Sequence, residues 1–336
     1  MAATKSATIP ISILGEPATF QNPIRYPLIA PLVAGARRAD LATLEAAPYN
    51  SNTIRFMTHS HPSAGRDALL EATNVRVAAD YRLSVVIPVY NERDTLPKLL
   101  AELLRQMPDA REAEVIVVDD GSTDGTRAWL TDFVGGDFDQ PLGVQVTGDG
   151  QLQCLPEAPG RVSMRVVLQP KNGGKGAALR KGFSLTRYEV IVIQDADLEY
   201  DPSDLRRMFT LVKKGVADVV YGSRFAGMPS RSLYMHHYLA NWLISTLIDV
   251  LCNATLHDIE VCYKMFKREV LDGMNLVSND FGFEVEFTVK MLLARRWRLY
   301  EVGICYYGRT YAEGKKINWK DGLKALWYIF RFRFSS

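Results

Sequence analysis

Four short apolar runs, at 83–89, 114–118, 163–168 and 188–193, each stop abruptly at a polar turn. Rich in β-branched residues, and compact in the first case, they suit strands of a largely buried parallel sheet. After the first, Leu96, Leu99, Leu100, Leu103 and Leu104 recur at helical spacing within 91–107. The second leads into a helix through Trp129 and Phe133, the third into a helix starting near Gly174, and the fourth into a helix over 202–214. A fifth strand is expected at 218–221. This alternation predicts an α/β fold with a doubly wound, mostly parallel sheet flanked by helices, and sheets of that kind bind ligands at the carboxyl ends of their strands.

Residues 1–80, rich in Ala, Pro and Ser and patchy in hydrophobic spacing, read as a partly irregular N-terminal extension. That leaves 81–325 as the main domain, with 137–160 as an inserted loop or hairpin and 326–336 as a C-terminal tail. Forty Lys and Arg against 38 Asp and Glu give a net charge of +2, so no bulk attraction to nucleic acid is expected. Cys154, Cys252, Cys262 and Cys305 form no C-x-x-C pair, which argues against a disulfide scaffold or a zinc site. Pro10, Gly15 and Pro17 break the N-terminus, and no stretch reaches the roughly 20 apolar residues that span a bilayer. Neither a signal peptide nor a transmembrane helix is expected, and the chain reads as cytoplasmic or peripheral on the inner membrane face.

The fourth run ends in Q-D-A-D-L-E, with Asp195 and Asp197 two apart. On extended backbone such side chains point the same way, and two carboxylates at one cleft repel unless a divalent cation joins them. Oxygen ligands suit a hard ion, Mg2+ or Mn2+; the plain alternative is a pair of helix caps. P-V-Y-N-E, D-D-G-S-T-D-G-T and Q-P-K-N-G-G-K-G close the other three runs. Glu92 or Asp119 could accept hydrogen bonds from a nucleobase, or serve only as turn residues. Gly173, Gly174 and Gly176 permit close backbone approach, and Lys175 offers a charge for a phosphate at a helix start.

Together these motifs resemble glycosyltransferase family 2, with the GT-A fold, in its dolichyl-phosphate or polyprenyl-phosphate hexosyltransferase branch, over roughly residues 82–325. V-V-I-P-V-Y-N-E is similar to the family's first strand and base-binding turn, which implies donor contacts from Pro88, Tyr90, Glu92 and Asp119. N-G-G-K-G-A-A-L adds Gly174 and Lys175, and D-A-D-L-E adds Asp195, Ala196 and Asp197, with Glu199 as a third metal ligand. Y-G-S-R-F resembles the acceptor-side motif and nominates Arg224; the later loop Y-Y-G-R-T-Y-A-E-G-K-K-I is similar to the one that closes over donor and lipid phosphate, which implies the cations Arg309, Lys315 and Lys316, the first two as acceptor contacts. D-I-E-V-C-Y-K matches another family stretch at Asp258 and Lys264, but Cys262 stands where the family has Gly.

The resemblance implies inverting, metal-dependent transfer of a hexose from a GDP- or UDP-linked donor to a polyprenyl phosphate or similar lipid-linked acceptor, with Asp197, Arg224 and Lys175 as catalytic groups. A hydroxyl acceptor would instead need a base, for which Asp280 or Glu284 are the candidates. A nucleotide-sugar-binding protein without activity is the rival of another class. Within 239–251, Asn241, Ser245 and Asp249, continued by Asn253, form a polar stripe on an otherwise apolar helix. Such a helix either lies on a membrane surface or buries its apolar side against the sheet or in a homodimer.

Overall fold

A computed structural model describes residues 80–136, 138, 140–155, 161–231, 234–310 and 319–334, with the side chains of 319–321 excepted. The expected extension 1–80 therefore lies, apart from Asp80, outside the described residues, as do Lys315 and Lys316.

The strands are β1 (Leu83–Val89), β2 (Ala113–Asp119), β3 (Leu142–Val146), β4 (Leu152–Leu155), β5 (Val162–Leu168), β6 (Val190–Ile193), β7 (Val219–Ser223), β8 (Lys264–Lys267) and β9 (Leu299–Gly303). Among the described residues they form one nine-stranded sheet in the order β4-β3-β5-β2-β1-β6-β8-β7-β9. The central four, β5-β2-β1-β6, are all parallel. β2 and β6 are buried throughout and β1 almost throughout. Burial on both faces is what such apolar runs require, and helices supply the cover.

Those helices are α1 (Leu96–Gln106), α2 (Thr126–Phe133), α3 (Lys175–Phe183), α4 (Leu205–Lys213), α5 (Met235–Cys252), α6 (Gly282–Leu293) and α7 (Trp319–Phe334). α3 lies so close to β1 that a Cβ on Gly182 would fall 2.3 Å from Val86 Cγ1. The insertion at 137–160 contains an antiparallel hairpin, β3 with β4, and β3 continues antiparallel onto β5.

Two elements depart from the sequence reading. β7, the expected fifth strand, is not adjacent to β6: β8 lies between them, antiparallel to both. Its four residues, K-M-F-K, are too few and too charged at their ends to carry a strand period. Residues 326–334, expected in the C-terminal tail, belong to α7, whose buried Ala325, Ile329 and Phe332 join the core.

α5 buries a mixed face, on which Ile244, Ile248 and Cys252 join the core beside its polar residues. Its polar stripe faces inward: Asn241 Nδ2 donates to His257 O at 3.0 Å, and Asp249 Oδ1 accepts from Leu256 N at 2.9 Å. Ser245 Oγ accepts from Ile259 N at 3.4 Å. These bonds hold the loop after α5, which leads to Asp258 and Glu260, while Met235, Leu239, Trp242, Leu243 and Val250 are exposed.

Candidate active site

Beyond the carboxyl ends of β1, β2, β5 and β6 lies a cavity of about 320 Å³. Its first two turns are laced together. Asn91, held in the left-handed region at φ 55°, donates its N–H to Ser122 Oγ at 2.9 Å and accepts from Thr123 N at 2.8 Å. Glu92 N donates to Thr126 Oγ1 at 3.0 Å. The letters N-E and S-T-D-G-T thus occur together because each turn satisfies the other's backbone groups. Pro88, Tyr90 and Glu92 consequently line the cavity.

Asp119 does not. It is fully buried, and Arg127 Nη2 lies 2.6 Å from its Oδ2. Its neighbour Asp120 takes the place on the cavity wall expected of it. Alternation along β2 explains the exchange, since consecutive side chains leave a strand on opposite faces. Asp120 also corrects the reading of the glycine turn. Its carboxylate accepts from Gly173 N at 2.8 Å and Gly174 N at 2.7 Å, so those amides are engaged within the protein. The glycines answer a packing demand: a Cβ on Gly174 would fall 2.3 Å from Asn279 O, and one on Gly176 would fall 2.3 Å from Ser278 O.

Asp195, Ala196, Asp197 and Glu199 line the same cavity just past β6. Two cations reach them. Lys175 Nζ is 3.0 Å from Asp195 Oδ1 and 3.2 Å from Glu284 Oε1. Arg309 Nη2 is 2.9 Å from Asp197 Oδ2, and its Nε is 3.3 Å from Glu199 Oε1. Arg309, expected on the acceptor side, instead spans the acidic triplet and comes within 3.6 Å of Glu92.

Burial raises the Asp197 carboxyl to about 7, helped by repulsion from Asp195 and Glu199 and opposed by Arg309. Burial pushes Lys175 down, but Asp195, Cys262 and Glu284 outweigh it and hold the ammonium well above its ordinary value. Among the described residues no three His, Cys, Asp or Glu side chains surround a common point in a ready-made metal cage. The donor set nevertheless fits a hard cation: three carboxylates share one wall, and a guanidinium already occupies the position between two of them.

The same wall includes Arg224, Glu260, Cys262, Asp280, Phe281, Glu284 and Tyr306. Arg224 grips the fully buried Asp258 with Nε to Oδ2 at 2.8 Å and Nη2 to Oδ1 at 2.7 Å. Glu284 pairs with both Lys264 and Lys175. Asp280 accepts from Gly282 N, the first amide of α6, at 3.0 Å and faces Lys324 Nζ at 3.7 Å. Glu260 differs: no hydrogen bond or ion pair to it is seen among the described residues, its Oε1 is sealed and unpartnered, and burial raises its carboxyl to about 7.

Sequence reasoning missed Asp120, Glu260 and Cys262 as wall residues. The duplicated Asp after β2 was a usable signal for the first. The others sit on the irregular loop that α5 fixes, where no period exists to read.

The Glycosyl transferase family 2 model matches residues 84–147 and 154–274. Polyprenol monophosphomannose synthase of Mycolicibacterium smegmatis is 31% identical over 214 residues, 62% of this chain and 71% of that protein. Undecaprenyl-phosphate mannosyltransferase of Micrococcus luteus is 29% identical over 241 residues, 70% of this chain and 87% of that one. Among solved structures, glucosyl-3-phosphoglycerate synthase from Mycobacterium tuberculosis, in complex with Mn2+, UDP and phosphoglyceric acid, superposes with a TM-score of 0.51 at 18% identity, over 82% of this chain and 85% of that one. That likeness establishes a shared fold.

Proposed function

Because the chain belongs to glycosyl transferase family 2, and is thus a glycosyltransferase of GT-A fold, we propose that it moves a hexose from a GDP- or UDP-linked donor to a polyprenyl phosphate or similar lipid-linked phosphate. The observation that carries this reading is the pairing, in one cavity, of the acidic triplet Asp195, Asp197 and Glu199 with the cations Arg309 and Lys175. Both relatives named above use polyprenyl-type lipid acceptors by name, which supports the acceptor class.

In this reading the nucleoside lies at the Pro88, Tyr90, Glu92 and Asp120 end, with the diphosphate beside the triplet. Asp197, with Asp195 and Glu199, would hold a Mg2+ or Mn2+ ion, which would supply positive charge against the diphosphate. Lys175, locked between Asp195 and Glu284, contributes a fixed cation near the leaving group. Arg224, oriented by its two bonds to Asp258, lines the end left for the hexose and acceptor. A lipid phosphate is already anionic and attacks without surrendering a proton. Direct attack at the anomeric carbon, with the nucleoside diphosphate leaving, inverts that centre.

A hydroxyl acceptor is the second reading, and one observation favours it. Of the cavity's acids, Glu260 lacks a cation of its own among the described residues and titrates at about 7, where a general base works well. Asp280 and Glu284, the earlier candidates, are occupied by the first amide of α6 and by two lysines. Incubating the protein with GDP-mannose or UDP-glucose, Mn2+ and either undecaprenyl phosphate or its dephosphorylated alcohol separates the two. Labelled sugar recovered on the phosphate supports the first reading, and labelled sugar recovered only on the alcohol overturns it.

A further inference from the structure

An exposed apolar face on a water-soluble surface costs free energy unless something covers it. On α5 the exposed residues Met235, Leu239, Trp242, Leu243 and Val250 follow helical spacing along one side, and Met235 and Val250 are 70% and 75% exposed. On α7 a second stripe, Leu323, Trp327, Phe330 and Phe334, advances in steps of four, three and four. Trp327 is 56% exposed and Phe334 67%. The two helices are tied at their carboxyl ends, where Arg333 Nε donates to Leu251 O at 2.8 Å. Each buries polar or core-forming residues inward, so the outward stripes are what remains.

On the described side chains of α7 the exposed charges beside this stripe are cationic. Lys324 and Arg331 flank the α7 stripe and are exposed, and the Arg331 guanidinium lies 5.0 Å from the centre of the Trp327 ring. Asp249, the acid on α5, turns inward to cap Leu256 N. Tryptophan and tyrosine with flanking Lys and Arg are the chemistry of the headgroup layer. A second copy of the chain placed here would set Arg331 against a cation of its own kind, with no exposed acid on the described side chains of either helix to answer it. No described helix is long and apolar enough to cross a membrane, so the face can rest on a bilayer without spanning it.

The face also adjoins the cavity. Lys324 Nζ is 3.7 Å from Asp280 Oδ2, and Gly282 abuts the Tyr328 ring so closely that a Cβ would fall 2.2 Å from Tyr328 Cε2. Asp280 and Phe281 are cavity wall.

We propose that α5 and α7 together form a docking face for a bilayer containing anionic phospholipid, which lays the chain on the membrane with the Asp280 and Phe281 wall of its cavity beside the headgroups. This rests on the lipid-phosphate reading given above. The face gives the cavity access to an acceptor whose hydrocarbon tail stays in the bilayer.

The test is flotation of the full chain with vesicles of phosphatidylcholine alone or mixed with phosphatidylglycerol. The wild type is expected to float with the mixed vesicles. Replacing Trp327, Phe330 and Phe334 together by Ala should weaken binding roughly tenfold or more. Arg331→Gln should weaken it roughly fivefold on mixed vesicles and leave phosphatidylcholine binding unchanged. Binding of GDP or UDP, measured on the same variants, should stay at wild-type strength and reports that they are folded. Equal flotation of the triple variant and the wild type overturns the proposal. So does a wild-type dimer in sedimentation that the triple variant converts to monomer, since a second copy then covers the face. Vesicle binding needs no donor: intact flotation without transfer to undecaprenyl phosphate would sink the acceptor reading and leave the docking face standing.

Discussion

The Arg309 guanidinium lies 2.9 Å from Asp197 Oδ2, inside the acidic triplet that would hold a metal ion. In the metal-dependent reading, protein cation and metal compete for one set of oxygens. Arg309→Gln removes the competitor, and Mn2+ titrated into the nucleotide-free protein should bind more tightly than in the wild type, by roughly tenfold for one lost charge contact. Transfer should nonetheless fall, by about a hundredfold, because the guanidinium is also lost as a partner for donor phosphates. Weaker Mn2+ binding in the variant would mean that Arg309 supports the ion rather than replacing it.

Asp197→Ala should abolish transfer and leave the fold intact. The carboxyl is an acid held at about 7 by burial and two acidic neighbours, so its removal relieves repulsion in the folded chain. Thermal unfolding near neutral pH should show a midpoint at or above that of the wild type. Near-normal turnover in this variant would refute the metal assignment.

Gly174 combines φ +92° with backbone 2.3 Å from where a Cβ would sit. Neither demand can be relaxed by a side-chain rotation, because the opposing atom is Asn279 O. Gly174→Ala is expected to destabilise the protein by about 2 kcal/mol or more in denaturant unfolding. It should also disturb Lys175, the next residue, so that nucleoside diphosphate affinity drops with stability. Gly173→Ala, whose Cβ would meet Ala177 Cβ at 3.2 Å, should cost clearly less.

The central sheet was legible because burial on both faces leaves a local mark: an apolar run such as that of β1 or β6 needs no knowledge of its neighbours. The strand ends were legible for the same reason, which is why Glu92, Asp195 and Asp197 stand out in the sequence, while Pro88 and Tyr90 follow only from the family resemblance. What the sequence hid depends on partners far along the chain. Whether Asp119 or Asp120 faces the cavity turns on the register of β2 and on Arg127. The position of Arg309 is set by its backbone N–H donating to Glu199, 110 residues away. The direction in which α5 faces could not be read from its pattern, since a narrow polar stripe looks alike whether water or the loop at 256–259 receives its hydrogen bonds.

Glu260 offers a test through pH. Its carboxyl has an ordinary value of 4.5 and is raised to about 7 in the folded protein, chiefly by burial and then by Glu284. Between those values the folded chain holds a proton that the unfolded chain has released, so stability falls as pH rises through the window and levels off above it. A shift of this size corresponds to about 3 kcal/mol, an upper figure because the surroundings can relax. Glu260→Gln keeps the shape and cannot ionise. The variant should therefore match the wild type closely near pH 5 and become the more stable of the two near pH 8. The measurement is the difference in unfolding free energy between the two proteins across that range. Asp197, present in both, contributes equally and cancels, so parallel curves would mean that Glu260 is ionised at an ordinary value and has a cation partner in solution.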